Sequence, residues 1–259
     1  TVALNSDVLV NIDLNQVFHL HNTTEQKVTV VYKKLPKELI SDVNSILEID
    51  ESDKVLGHEL FQGGDKEAYN MSTDIFVVDT PFLIAKLEEE AAKEEPRKLR
   101  YVLRDLAVAE NAFAYEYTGY LSNIHSVKAY FDANLDMLES HKFYKLFAPN
   151  QKVYTKVKNE EPTYYSDSSE VKLSQFASGS IVRGKVENSV ISRNVDLSEG
   201  SSVSHSILFP RVKVAKGATV EYAIVDKGVE IAEGVTIRGT ENNPVVIKKG
   251  SVVTEDIVR

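Results

Sequence analysis

Over the first part of the chain, short β-branched runs alternate with stretches whose apolar residues recur at helical spacing. An apolar run over residues 2–4 stops at Asn5-Ser6-Asp7. Asp13, with Gln16 three places later, has the form of a capping box and predicts a helix over residues 14–21. Residues 28–32 predict a strand. Residues 43–49 and 55–58, on either side of a polar turn, predict a hairpin. A strand over residues 74–79 leads into Thr80 as N-cap and Pro81 at the first position of a helix reaching about residue 94. Leu99, Val102, Leu103 and Leu106 keep helical spacing, and residues 112–117 and 120–124 read as β structure. Ser126 caps a further helix with Val127, Tyr130, Phe131, Asn134, Leu135 and Leu138 on one face. Strand and helix in alternation predict an α/β, Rossmann-like domain with a mostly parallel sheet over residues 1–148.

From residue 172 the pattern changes. Read in steps of 17, Gly200, Gly217 and Gly234 fall in one column. Three aliphatic columns run beside them: Val195, Val212, Val229; Leu197, Val214, Ile231; and Val203, Val220, Ile237. A single coil cannot bury its own aliphatic row, whereas stacked coils can, with glycine at a corner that requires positive φ. Residues 172–259 are therefore expected to form a left-handed parallel β-helix of hexapeptide-type coils. The first coil fits only in part, with Gly184 one column late and Ser180 in an aliphatic column. Residues 149–171, polar and carrying Pro149, Pro162 and a Tyr-Tyr-Ser-Asp-Ser-Ser run, read as the connector.

Composition narrows the function classes. There is no cysteine, which excludes a disulfide framework or a thiolate metal site, and the six histidines lack zinc-site spacing. A net charge of -9 argues against a nucleic-acid partner. No apolar run is long enough for a membrane helix, and no cationic-then-apolar leader is present, so the expected location is the cytoplasm. Thr1 opens directly into an apolar run, which predicts a missing N-terminal part.

Three segments carry a family resemblance. Residues 5–13, Asn-Ser-Asp-Val-Leu-Val-Asn-Ile-Asp, are similar to a strand-end "GDH-Y—D" motif. Gly119-Tyr120-Leu121-Ser122-Asn123-Ile124-His125-Ser126, continuing through Tyr130-Phe131-Asp132-Ala133-Asn134-Leu135-Asp136-Met137-Leu138, resembles "GYW-DVGT … -Y-EANLDLL". Ser178-Gly179-Ser180-Ile181-Val182 with Asn188-Ser189-Val190-Ile191 is close to "SG-I-G … NS-I". These segments resemble the bacterial glucose-1-phosphate adenylyltransferase (ADP-glucose pyrophosphorylase) family of glycogen synthesis, and in particular its non-catalytic, regulatory D-type subunit. The resemblance implies a nucleotidyltransferase-like first domain, ATP and Mg2+ as ligands of active members, and heterotetramers with a catalytic subunit.

In active members a metal ion holds the ATP phosphates while the sugar phosphate attacks, so catalysis is positioning and charge neutralisation. The resemblance places the metal carboxylates at Asp7 and at position 123, which is asparagine here. Replacing a carboxylate by a neutral amide beside a divalent cation costs on the order of several kcal/mol, about a hundredfold in metal affinity. Asp7 and Asn123 are thus relic metal positions, with Asp7 the one candidate ligand; its plainer reading is a strand-end turn former. The family's "EKP" lysine would fall near Glu59-Leu60-Phe61, with no cation there. Its "SMGIY" strand aligns with Ser72-Thr73-Asp74-Ile75-Phe76, putting a carboxylate where glycine admits substrate. The glycine-rich phosphate loop would precede residue 1, and Gly63-Gly64 lacks the strand–loop–helix setting to replace it.

Other candidates have bland and functional readings side by side. Asp13 is a helix cap or a ligand; His125 a structural or a basic histidine; Asp132 and Asp136 are solvated. Lys33, Lys34 and Lys37, with Lys172, Arg183 and Lys185, are scattered surface cations or a site for a sugar-phosphate effector. His205 closes its coil, as an acyltransferase base would, but its column also holds Tyr222 and Gly239. Three function classes follow: a regulatory subunit with an eroded site, an active sugar-1-phosphate nucleotidyltransferase, and a hexapeptide-repeat acyltransferase.

Overall fold

The computed structural model describes residues 1–147 and 152–259; the predicted boundary at 148/149, with Pro149, lies outside the described residues. The chain divides into two units, Thr1–His125 and Ser126–Arg259.

In the first unit the strands are β1 (Val2–Ala3), β2 (Val8–Val10), β3 (Val28–Pro36), β4 (Ser45–Ile49), β5 (Val55–Leu60), β6 (Ala68–Val78), β7 (Phe113–Glu116) and β8 (Leu121–Asn123). Three helices, α1 (Leu14–Thr23), α2 (Thr80–Ala91) and α3 (Leu99–Ala109), accompany them. The central sheet runs β5-β4-β6-β3-β7, with β1 on β6, and β2 pairs β8 apart from it.

The expectation of a mostly parallel sheet is corrected here. Only β3 and β7 are parallel; β1–β6, β3–β6, β4–β6 and β4–β5 are all antiparallel. A parallel neighbour needs a single crossover, usually one helix. Here the chain turns back through the β4–β5 hairpin, and two successive helices, α2 and α3, separate β6 from β7. Each device reverses the strand direction.

Period-2 alternation sorts the sheet residues onto two faces. Val28, Val30, Phe76 and Val78 pack with Leu83, Val102, Leu103 and Leu106 of α2 and α3. Val31, Ile75, Val77 and Met71 pack with Val17 of α1 and with Leu121 of β8. Helix α1 is capped by the Asp13 carboxylate, which accepts from the Asn15 backbone N–H at 3.0 Å. The other half of the predicted capping box does not form: the Gln16 amide oxygen accepts from the Tyr115 hydroxyl instead. Asp79 rather than Thr80 occupies the N-cap position of α2, so Pro81 stands second in the helix rather than first.

The second unit opens with α4 (Val127–Leu135), capped by the Ser126 hydroxyl, and α5 (Ser140–Leu146). The expected domain boundary placed these helices with the α/β domain. Phe131 of α4 is instead buried against Ile207 and Ile224, two outward-facing solenoid residues, with Tyr130, Leu135, Phe209 and Tyr222 around them.

The solenoid consists of three parallel ladders of six, five and six strands. It begins at Tyr164–Tyr165, paired in parallel with Ile181–Val182, so the Tyr-Tyr run read as connector is already a rung. The nine aliphatic column residues named from the sequence are all at most 2% exposed. Three corner columns carry the positive φ values that close each coil. One is Gly200, Gly217 and Gly234 at 69–73°. The others are Asn194, Arg211 and Gly228, and Asn188, His205 and Tyr222.

The irregular first coil has a physical cause. Ile181 pairs with Asp196 but Lys185 pairs with Ser202, so the corner at Arg183-Gly184 is two residues shorter than its neighbour. A Cβ on Gly184 would lie 2.3 Å from Ser201 Oγ and 2.4 Å from Ser201 O, so glycine alone fits the cut corner. That shortening sets Ser180 in the column of Val195 and gives the Leu197 column to Val182; the buried Ser180 hydroxyl donates to Ser192 O and accepts from Val195 N–H. At the far end, Val245–Ile247 pairs with Ala223–Val225 as the last strand of its ladder, while the other two ladders run on to Val253 and Val258. Among the described residues no helix is long and apolar enough to cross a membrane.

Candidate functional site

The two positions that the resemblance assigns to a metal lie on neighbouring strands. In the β2–β8 pair Val8 stands opposite Asn123, and the Ile124 N–H donates to Asp7 O at 2.7 Å. The backbone thus brings Asp7 and position 123 together, but their side chains are engaged elsewhere.

Asn123 is only 6% exposed, and its amide nitrogen donates to two acceptors: Leu39 O at 3.0 Å and Asn44 Oδ1 at 2.8 Å. Asn44, equally buried, is fixed in turn because its Oδ1 accepts from Ser41 N and Ser41 Oγ, both at 2.9 Å. Position 123 therefore points donors at acceptors, and a carboxylate could not take its place without losing both bonds. Asp7 is about one-third exposed and faces a cation, with Arg100 Nη2 3.7 Å from its Oδ2.

Behind Asp7 lies a charged cluster that the sequence motifs did not reveal. Asp74 sits within β6 at φ 53°, where the β3–β6 register shifts between Val31 and Tyr32. That left-handed conformation is the one glycine favours and aspartate tolerates, which accounts for glycine in the "SMGIY" pattern at this place. The carboxylate is 6% exposed and held by two arginines of α3. Arg104, 3% exposed, donates from Nε to Oδ1 at 3.0 Å and from Nη2 to Oδ2 at 2.8 Å. Arg100 Nη2 donates to the same Oδ2 at 2.8 Å, and this bond holds its guanidinium above its ordinary pKa. A depression of about 180 Å³ opens over the cluster, lined by Ala3, Asn5, Asp74, Phe76, Arg100 and Leu103 among others. The two guanidiniums offset the charge of Asp74.

These side chains do not fit a magnesium ion. The cation prefers carboxylate oxygens and retained waters, whereas here Asp7 meets a guanidinium and Asn123 turns its nitrogen to the interior. Among the described residues no group of three or more His, Asp or Glu is placed to hold a metal.

The remaining candidates fall as follows. Glu59 lines a second depression of about 380 Å³ with Glu48, His58 and Tyr69, and a cation does reach it, Lys66 from further along the loop. Lys33 is committed to the carbonyls of Tyr117 and Gly119 at 3.3 and 2.7 Å, while Lys34 and Lys37 are exposed. In the second unit Lys172 pairs with Glu187, Arg183 with Asp196 and Lys185 with Glu170, so these cations are rungs of surface ion-pair ladders. His125 Nδ1 lies 3.1 Å from Asn123 O on an exposed corner. Lys128 pairs with Asp132 and Lys142 with Asp136. His205 stands at a coil corner, stacked on Tyr222 with ring centroids 4.8 Å apart, and its buried Nδ1 has no hydrogen-bond partner.

Sequence reasoning passed over Arg100, Arg104 and Asn44. A signal existed for Arg104: it falls within a helix whose neighbours Val102, Leu103 and Leu106 mark the buried face, so a cation there needs a buried partner.

Comparison with known proteins agrees with the motifs. Residues 159–258 match the family described as GlmU-like, C-terminal hexapeptide, and the chain carries such a domain. "Glycogen biosynthesis protein GlgD" of Bacillus subtilis (strain 168) is 34% identical over 197 residues, 76% of this chain and 55% of that protein. The protein of the same name from Geobacillus stearothermophilus is 53% identical over 127 residues, 49% of this chain and 37% of that protein. "Glucose-1-phosphate adenylyltransferase" of Thermosipho africanus (strain TCF52B) is 24% identical over 212 residues, 78% of this chain and 49% of that protein. The chain thus spans about half or less of the length of these relatives, and the resemblance read from its motifs stands.

Proposed function

We propose that the chain is part of a regulatory, non-catalytic subunit of glucose-1-phosphate adenylyltransferase. Its role would be to modulate ADP-glucose synthesis from ATP and glucose 1-phosphate in cytoplasmic glycogen biosynthesis. Support comes from the similarity to GlgD proteins, at higher identity than to the adenylyltransferase of Thermosipho africanus. The observation that carries the non-catalytic reading is Asn123, whose amide donates to Leu39 O and Asn44 Oδ1 where a metal-binding carboxylate is required. Asp7, turned to Arg100, adds to it. In this reading Asp7 and Asn123 mark an ancestral magnesium position that no longer serves ATP, and the subunit acts by assembling with a catalytic partner. A sugar-phosphate effector would then bind elsewhere in the assembly.

The test is a pyrophosphate-release assay with the full-length protein, ATP, glucose 1-phosphate and magnesium, with and without a catalytic adenylyltransferase. Alone, the protein is expected to give the rate of the protein-free control. With the catalytic subunit, the rate or its response to sugar phosphates is expected to change. Robust release by the protein alone overturns this reading in favour of an active transferase.

A further inference from the structure

Arg100 and Arg104 are one helical turn apart on α3, so their side chains emerge on one face. Two like charges at that spacing repel unless an anion lies between them. The anion is Asp74, whose Oδ2 accepts from Nη2 of both arginines at 2.8 Å while Arg104 Nε reaches Oδ1 at 3.0 Å. A guanidinium fork has the same geometry for a carboxylate as for a phosphate. Asn5 Nδ2, 3.5 Å from the same Oδ2, adds a neutral donor from the opposite side. The cluster is open to a ligand on one side only: Arg104 is buried beneath it, and Arg100, with 33% of its side chain exposed, lines the depression above. Asp74 reaches this place from a backbone position at φ 53°, where a residue without a side chain would leave Arg100 at the depression, and Arg104 buried beneath it, without their carboxylate.

We propose that Arg100 and Arg104 form an oxyanion site that the chain fills with its own carboxylate, making Asp74 an internal ligand that keeps small phosphorylated molecules out. The ligand class is a phosphate monoester or inorganic oxyanion, and Asp7, 3.7 Å from Arg100, is a second carboxylate it would meet. The proposal rests on the geometry of this cluster alone and stands whether or not the chain serves as a regulatory subunit.

The test uses the 259-residue chain with Asp74→Gly, which suits the backbone, and Asp74→Asn, which keeps the side chain and removes its charge. Inorganic phosphate is the probe, titrated calorimetrically against a chloride background of matched ionic strength. Phosphate is expected to bind folded Asp74→Gly at least about tenfold more tightly than the parent chain. Asp74→Asn is expected to show a smaller gain in the same direction. Adding Arg100→Gln to either variant is expected to abolish the gain. Because Arg104 is left without its partner in Asp74→Gly, that variant is also followed by thermal unfolding. A midpoint raised by phosphate but not by chloride supports the site. If the glycine variant does not fold with or without phosphate, the asparagine variant decides. Folded variants that bind phosphate no better than the parent, or that keep the gain after Arg100→Gln, overturn the proposal.

Discussion

Asn123→Asp puts back the carboxylate that an active metal site would need, at a place the surrounding structure has made unfit for one. The amide nitrogen of Asn123 donates to Leu39 O at 3.0 Å and to Asn44 Oδ1 at 2.8 Å, in a site 6% exposed. An aspartate sets oxygen against both acceptors. Asn44 cannot simply turn its amide over, because its Oδ1 also accepts from Ser41 N and Ser41 Oγ. Two hydrogen bonds are lost and the Leu39 carbonyl is left unpaired, while Asn44 Oδ1 keeps its Ser41 donors, so a loss of about 1–3 kcal/mol is expected at pH 7. The sign of the pH dependence follows. Burial beside acceptors raises the carboxyl pKa in the folded state, so the loss is full above that pKa and shrinks as pH falls and the acid can donate to Leu39 O. Urea unfolding of both proteins at pH 7.5 and pH 5, each with and without magnesium chloride, measures this directly. The same midpoint for variant and parent, or a variant stabilised specifically by magnesium, would refute the reasoning.

Further outcomes are expected elsewhere. Gly184→Ala forces a Cβ to within 2.4 Å of Ser201 atoms and should cost about 1–3 kcal/mol in urea unfolding; Gly234→Ala meets no atom within 4 Å and pays only for its φ of 73°. Glu90 is held far below the usual carboxylate range by hydrogen bonds from Arg97, then Lys93. Its stabilising effect is therefore present above its ordinary value of 4.5 and lost in acid, and Glu90→Gln should flatten the acid limb of a stability–pH curve while lowering stability at pH 7. Burial pushes His21 below its ordinary 6.5, so protonation favours unfolding. Stability should decline as pH falls from 7 toward 5 on this account, and His21→Gln should remove that part of the slope.

The solenoid was legible because a parallel coil repeats its side-chain requirements at a fixed period, so Val203, Val220 and Ile237 announce one inward column. What the period did not explain was a local change in corner length at Gly184, which shifts one coil by two residues and shows in the sequence only as Gly184 and Ser180 out of column. The direction of the first sheet was hidden for a different reason. Strand propensity is local, while direction is set by what connects the strands, and the β4–β5 hairpin and the α2–α3 pair reverse it. The candidate site was half legible: the family resemblance pointed to Asp7 and position 123, and the backbone sets Asp7, directly before β2, beside Asn123 of β8. The partners that decide their chemistry, Arg100 and Asn44, come from segments far along the chain with no motif of their own.

The central claim is that the paired positions Asp7 and Asn123 no longer coordinate the metal of a nucleoside triphosphate. A crystal of the full-length protein grown with ATP and manganese, measured at the manganese absorption edge, addresses it most directly. The account expects no anomalous peak between these two side chains, with Asp7 still turned to Arg100 and the Asn123 amide still donating to Leu39. A manganese peak bonded to both Asp7 and the residue 123 side chain would contradict it.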